Sequence, residues 1–384
     1  MDRGMSQKTR KNKTSKDYYR RKYYAQRRQK EKRRQALLAG LLVLLLCALV
    51  WFVLKRNPGW FQSGAQGTGP DDAVVDSSFS VHYLDVGQAD ATLILCGDSA
   101  LLIDGGNQED APLVLDYLKQ QGVEQLDYVL CTHAHEDHCG GLAQIVRQAA
   151  GPGTQVLAPQ EDSDNWFFHD FASAAKAQGC AVRVPSFGET FEIGGAAAQI
   201  VGPVRTAQEI LQDENGLVNN TSLMVRVEYE GCAFLFCGDA QWQEEQEVVE
   251  AAGKNTGAAQ STGTAQNAGT AEEAGTAELP GVVLTSNVLK PGHHGSANAT
   301  SYSFLMEVNP TYAVISCGTG NEYGHPHEDT LEKLAEAGVN LYRTDLQGTI
   351  VCTVRGGKPD FAPQHDPQAA VWIAPPLPEQ IPEE

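Results

Sequence analysis

The sequence predicts a layered α/β domain carried behind a single membrane-spanning helix. Three observations lead there. Residues 36–54 (ALLAGLLVLLLCALVWFVL) run 19 positions without a charge. From about residue 78 to residue 355, short apolar runs of β type alternate with stretches of helical spacing. Residues 1–35 hold 15 of the 29 Lys and Arg and only three acidic residues, a net of +12, so that of a formal −19 the remainder carries −31. A uniformly mixed surface does not separate charge in this way, and the two ends are expected to face different environments.

At ~1.5 Å per residue the uncharged run reaches ~28 Å as a helix, about the thickness of a bilayer core. A buried soluble helix would keep polar residues on one face. The basic residues before the span place the N-terminus in the cytoplasm by the positive-inside rule, although Lys55 and Arg56 follow on the far side. A cleaved signal peptide is the rival reading, but the basic region is too long for one and no A-x-A site follows the apolar run. The expected organisation is therefore a basic cytoplasmic segment 1–35, an anchor 36–54, a Gly/Ser/Asp-rich linker 55–77 and a domain outside the cell membrane. The basic segment reads as a topology signal that could also contact anionic lipid, with nucleic-acid binding as the alternative.

Within the domain, SFSVHYLDV, ATLILCG and SALLIDGG are three short strands separated by Gly and Asp, as in an antiparallel meander. Residues 111–121 (APLVLDYLKQQ) have helical spacing, LDYVLCT returns as a buried strand, and LAQIVRQAA predicts a helix from near Gly141. Residues 251–280 are repeats of Ala, Gly, Thr and Gln that bury too little apolar surface to offset their ordering entropy, and are expected to form a flexible insertion. Residues 357–384 are Pro-rich and acidic, expected as a disordered tail whose AVWIAPPLP segment could alternatively dock on the domain. Of the nine cysteines, Cys47 lies in the span and eight lie beyond it. Their spacing matches no small disulfide scaffold, and Cys131, inside an apolar strand, reads as a buried thiol.

Residues 132–138 read T-H-A-H-E-D-H. In an extended segment His133 and His135 point to the same side, because side chains alternate with period two. Asp137 and His138 follow at the start of a helix and turn toward a neighbouring position. One short loop can thus feed two adjacent cations with imidazole and carboxylate, donors that suit Zn, Mn or Fe. A polar surface turn is a poor account of three histidines in six residues between a buried strand and Cys-Gly-Gly. Asp104 ends an apolar strand before Gly-Gly, where its carboxylate could receive an imidazole N–H and orient a ligand histidine.

The THxHxDH pattern with its trailing Gly-Gly resembles the metallo-β-lactamase superfamily. LDVGQAD (84–90), LLIDGG (101–106), NNTSLMVRVEYEGCAFLFCGD (219–239), LKPGHHGS (289–296) and YGHP (323–326) are, in that order and spacing, similar to the hydrolase domain of ComEC-type DNA-uptake proteins. The likeness spans residues 78–356, without the polytopic pore of those proteins, so a stand-alone membrane-anchored form is expected. It implies a four-layer αββα fold and one or two divalent metal ions, Zn or Mn. It implies His133, His135, Asp137, His138 and Asp239 as ligands, with Asp239 bridging. It adds one of His293 and His294 as the late ligand, the other contacting substrate, and His325 near the metals. Asp137, His294 and His325 are the expected catalytic residues. Asp85, Asp104, Asn220 and Ser296 are expected around the metals or the substrate, Ser296 with a plain turn role as the alternative. Two departures stand out. The further histidine that many superfamily members carry between the cluster and the bridging aspartate is missing, His169 being the sole histidine in that interval. Ala89 stands where the family has glycine. His82, His169, His327 and His365 have no motif around them, and a surface or satisfied core role is expected for each.

The resemblance implies a metal-dependent hydrolase, with a phosphodiester substrate, DNA among the candidates. Paired cations would lower the pKa of a bound water, orient it for in-line attack and neutralise phosphoryl charge. The −31 beyond residue 35 argues against a long nucleic-acid groove, which needs Lys and Arg. A hydrolase of C–N, thioester or lactone bonds on the same fold is the enzymatic alternative, and a non-catalytic envelope binding module is the alternative of another class.

Overall fold

The computed structural model describes residues 79–214, 216–258 and 281–365. The expected anchor, basic segment and linker lie outside them; among the described residues no helix is long and apolar enough to cross a membrane. The first half of the domain runs β1 (Phe79–Tyr83), β2 (Thr92–Cys96), β3 (Ser99–Ile103), α1 (Ala111–Gln120), β4 (Tyr128–Leu130), α2 (Glu136–Cys139), α3 (Leu142–Ala149), β5 (Gln155–Leu157), α4 (Trp166–Ala177) and β6 (Val182–Arg183). The second runs β7 (Thr190–Ile193), β8 (Ala196–Gly202), α5 (Ala207–Gln212), β9 (Met224–Tyr229), β10 (Cys232–Phe236), α6 (Trp242–Ala258), β11 (Val288–Lys290), α7 (Tyr302–Val308), β12 (Tyr312–Ile315), α8 (Glu328–Glu336), β13 (Asn340–Arg343) and α9 (Thr344–Gln347). Two last strands, β14 (Ile350–Arg355) and β15 (Lys358–Pro363), return to the first sheet.

These strands form two mixed sheets, one of eight strands in the order β15-β14-β1-β2-β3-β4-β5-β6 and one of seven in the order β13-β12-β11-β10-β9-β8-β7. The expected β1-β2-β3 meander is antiparallel, whereas β3, β4 and β5 run parallel, as do β10, β11, β12 and β13. Period-two alternation makes the layers. On β2 and β3, Ile94 and Leu101 point to a core shared with Val225, Phe234 and Phe236 of the other sheet, while Leu93 and Leu102 point away from it. The latter pack against Val114 and Leu118 of α1, Ile145 of α3 and Phe168 of α4. On the far side Met224, Leu235 and Leu289 meet Val248 of α6, Phe304 of α7 and Leu331 of α8. Three cores between four layers give the helix–sheet–sheet–helix order.

Two expected boundaries are corrected. The insertion does not begin at residue 251, because α6 continues to Ala258, with Ala251 and Ala252 buried; residues 259–280 lie outside the described part. Ala251 and Ala252 extend the buried face that Val248 begins, and that packing carries the helix into the low-complexity stretch. Nor does the domain end at residue 356. Gly356 and Gly357, both at positive φ, turn the chain back so that β15 pairs antiparallel along β14. Phe361 then stacks on Tyr342 with ring centroids 4.3 Å apart. Pro359 and Pro363 are tolerated because β15 is an edge strand. All eight cysteines among the described residues are free and buried.

Candidate metal centre

The loops that follow β1, β3, β4, β10, β11 and β12 converge, as loops after parallel strands do in open α/β sheets. Asp104 follows β3 with φ of +58°, a left-handed conformation that costs a non-glycine residue roughly 1 kcal/mol. That turn aims its buried carboxylate at Thr132 and His138. Oδ1 accepts the Thr132 N–H at 2.8 Å, and Oδ2 accepts the Thr132 hydroxyl at 2.8 Å and the His138 Nδ1–H at 2.7 Å. Since its hydroxyl proton points to Asp104, Thr132 can only accept from Nδ1 of His133, 3.1 Å away. His294 donates its Nδ1–H to the Ser316 carbonyl at 3.0 Å. Three histidines thus have their Nδ1 protons committed and turn Nε2 toward the centre, the tautomer a metal ligand requires.

Asp239, just past β10, faces those Nε2 atoms. Its Oδ1 lies 3.2 Å from His138 Nε2 and 3.8 Å from His294 Nε2, and its Oδ2 lies 3.9 Å from His133 Nε2 and 3.7 Å from His293 Nε2. Asn219 Nδ2 donates to Oδ2 at 3.3 Å, and the Asp239 N–H donates to Ser222 Oγ. Asp137 Oδ2 faces His294 Nε2 at 3.2 Å and His138 Nε2 at 3.9 Å. His135 completes the other side, its Nδ1 3.0 Å from His133 Nε2.

Charge and satisfaction test whether a cation fits. His138 Nε2, Asp239 Oδ1 and Asp90 Oδ1 are buried without a hydrogen-bond partner, although bare polar atoms in an interior are costly. Burial opposes charge on His138, yet the Asp239, Asp104 and Asp137 carboxylates outweigh it and hold its pKa well above the usual value. His294 is raised against burial by Asp239 and Asp137. Burial likewise opposes ionisation of Asp239, but the surrounding imidazoles hold its carboxyl well below the usual range. The pocket therefore draws positive charge to the place where the bare atoms meet. His133, burdened by burial and by a charged His138, stays neutral. The donors fit divalent cations of the N/O-binding type.

His133, His135 and Asp239 could hold one cation, and their ligand atoms lie within 4.8 Å of one another. Asp90, His138, Asp239 and His294 satisfy the same distance. Asp90, however, is already paired with the buried ammonium of Lys290 and approaches His138 from its Nδ1 side, at 3.8 Å. Asp137 faces the Nε2 atoms of His294 and His138 and is the better fourth donor. The Cys-Gly-Gly after the cluster is a packing demand: a Cβ on Gly141 would stand 2.1 Å from the Gly105 carbonyl oxygen.

The remaining expectations divide. His293 and His325 border a cleft of about 880 Å³ together with Gln88, Asn219 and Tyr323. Burial and the neighbouring His294 and His293 lower the His325 pKa to about 4. Asn220 acts on the loop, its Oδ1 accepting the Gln241 N–H at 2.9 Å. Ser296 takes the turn role, its Oγ accepting from Asn298 N. Asp85 is not brought to the centre. It caps Gly87 N and lines a different groove beside Tyr117 and Thr349. The aspartate of that motif that reaches the centre is Asp90, whose N–H bonds the Asp137 carbonyl at 2.9 Å. Five positions within LDVGQAD separate the two, and the turn at Gly87 decides which carboxylate points inward. His169 sits exposed on α4, bonded to Asp162 at 2.9 Å, and replaces no ligand. His82 is buried and bonded to Ser80 and Tyr117, as expected of a satisfied core histidine.

The layers, the six convergent loops and the shared carboxylate define a metallo-hydrolase fold. A family model described as the metallo-beta-lactamase superfamily matches residues 84–319, and the chain belongs to that superfamily. It is similar to the ComE operon protein 3 of Bacillus subtilis, at 25% identity over 72% of this chain and 33% of that protein. It is similar to the competence protein ComA of Neisseria gonorrhoeae, at 30% identity over 81% of this chain and 38% of that protein. Recombination protein 2 of Haemophilus influenzae matches at 25% identity over 71% and 28%. The chain thus spans about a third of the length of these curated relatives.

Proposed function

We propose that the chain is a metal-dependent phosphodiester hydrolase, held at the outer face of a cell membrane by residues 36–54. The observation that carries the chemistry is Asp239, buried, with one carboxylate oxygen turned to each of two sets of imidazole Nε2 atoms. His133, His135 and Asp239 would hold one divalent ion, and Asp137, His138, Asp239 and His294 the other, Zn or Mn by donor type. Such a pair, when bound, supplies Lewis acidity and activates water at neutral pH. The chain's own part is orientation. Asp104, Thr132 and the Ser316 carbonyl fix the imidazoles, while His293 and His325 line the cleft and could donate to phosphoryl oxygens.

The cleft rim bears on substrate size. Glu109, Glu136 and Glu322 line it, and among the described residues no Lys or Arg does. A long polyphosphate backbone would be repelled there. A small phosphodiester or a single strand end needs only the centre itself, so these are the preferred substrates.

Metal analysis of the purified full chain, followed by hydrolysis of bis-p-nitrophenyl phosphate and of a long DNA duplex, tests this. Turnover should depend on added Zn or Mn, vanish with chelator and favour the small ester. Metal binding with turnover of thioesters or lactones alone would replace the phosphodiester reading. Protease added to intact cells should remove the domain and leave residues 1–35 protected. Survival of the domain until lysis would reverse the orientation.

A further inference from the structure

Gln88 lies in the loop between β1 and β2, and its side chain bridges to the loop after β12. Its Oε1 accepts the Gly318 N–H at 3.0 Å, and its Nε2 lies 3.3 Å from Nδ1 of His325. A backbone N–H can only donate, so the first bond settles which way the amide faces. The NH₂ group is then the one that meets His325, and Nδ1 must accept. A neutral imidazole with a bare Nδ1 carries its proton on Nε2. Among the described residues that Nε2 has no hydrogen-bond partner, and the ring borders the cleft.

The rest of the loop holds the ring still. Asn321 accepts the His325 N–H at 2.9 Å and donates to the His325 carbonyl at 2.6 Å. Tyr323 stacks on the imidazole with centroids 5.6 Å apart and planes 21° off parallel. The close approach of the two loops depends on glycine at 318, where a Cβ would stand 2.6 Å from the Gln88 backbone nitrogen. Two loops 230 positions apart in sequence therefore meet through one amide whose orientation is fixed from behind.

We propose that Gln88 is a positioning residue that locks His325 as its Nε2–H tautomer and so presents a hydrogen-bond donor to a substrate oxygen in the cleft. Only the identity of that oxygen, a phosphoryl oxygen, rests on the function proposed above. A preorganised donor strengthens as negative charge develops on the oxygen, whereas a bare Nε2 would turn a lone pair toward it.

Gln88→Glu is nearly isosteric and tests the lock. A carboxylate can still accept from Gly318, but it cannot donate to Nδ1; the neutral ring would instead carry its proton on Nδ1, donate it to that carboxylate and leave Nε2 bare. Histidine ¹⁵N spectra of the purified full chain loaded with Zn read the tautomer directly, with His325→Gln used for assignment. The wild type should show a protonated Nε2 and an unprotonated Nδ1 at His325, and Gln88→Glu should exchange or merge the two signals. With bis-p-nitrophenyl phosphate, kcat should fall about 10²-fold in Gln88→Glu while KM and bound metal change little, the usual size of a lost positioned proton donor. A wild-type His325 carrying its proton on Nδ1, or a Gln88→Glu spectrum and kcat like wild type, would overturn the proposal. A wild type that shows the expected tautomer but hydrolyses no phosphodiester would instead count against the functional reading, because the spectra decide the tautomer without turnover.

Discussion

Asp239→Ala should strip the centre of metal and of activity, and it should do so without unfolding the domain. Among the described residues the carboxylate is the one group turned to both donor sets, 3.2 Å from His138 Nε2 by one oxygen and 3.9 Å from His133 Nε2 by the other. Its loss would leave two cations, or one cation and a charged His138, facing each other with nothing between. Partners that only touch ligands already cost 10- to 100-fold in metal affinity, so removing the shared ligand should weaken binding by at least about 10²-fold and leave no measurable phosphodiester turnover. The side chain is small and its backbone N–H stays bonded to Ser222, so circular dichroism should match wild type. His133→Ala should behave in the same way. His169→Ala is the control: its exposed ring bonds Asp162 and touches nothing in the cleft, and both metal and turnover should be retained. Full metal and activity in Asp239→Ala, with loss in His169→Ala, would make His169 the missing ligand and remove Asp239 from the ligand set.

What the sequence discloses about this centre follows the range of the signals. His133, His135, Asp137 and His138 share one short loop, so their grouping is visible from spacing alone. Asp239, His294 and His325 are dispersed, and only motif resemblance joins them to the cluster. The structure brings them together and also tells His294 from His293, because the Ser316 carbonyl holds the His294 proton while His293 remains at the open side of the cleft. Asp90 and Lys290 are not legible in the sequence because their meaning is mutual: 200 positions separate them, and each alone reads as an ordinary charged residue in a motif. The motif alone does not distinguish Asp85 from Asp90, since it is the turn at Gly87 that sends one out and the other in. The fold class is legible from short apolar runs alternating with helical spacing, since a strand covered on both faces reads as a continuous apolar run, as CAFLF of β10 does. The β15 hairpin is not, because Pro359 and Pro363 argue against a strand until the sheet edge is known.

Lys290→Met should be among the most destabilising single changes in the domain. Both Lys290 and Asp90 are buried, 3% and 2% exposed, and the ammonium is paired with the Asp90 carboxylate. Burial pulls the lysine pKa down, but Asp90, with Asp239 and Asp104 behind it, outweighs burial and raises it, so the charge is retained in the folded state. Removing the ammonium alone leaves Asp90 buried without its partner, with His138 at 3.8 Å already shared among three other carboxylates. Breaking one side of a buried pair costs about 3–5 kcal/mol. Asp90→Asn alone should cost less, because Asp104 and Asp239 still attract the lysine. The double variant Asp90→Asn/Lys290→Met removes both charges and should recover most of the loss, since a neutral replacement of a buried pair is often close to neutral in stability. A double-mutant cycle from urea midpoints, measured in chelator so that metal does not contribute, gives the coupling directly. Added Zn should then raise the midpoint of Lys290→Met more than that of wild type, because a divalent cation meets a site with one more uncompensated negative charge. A Lys290→Met midpoint within about 0.5 kcal/mol of wild type, or a double variant no better than the single, would show that the pair is not what balances the four carboxylates around His138.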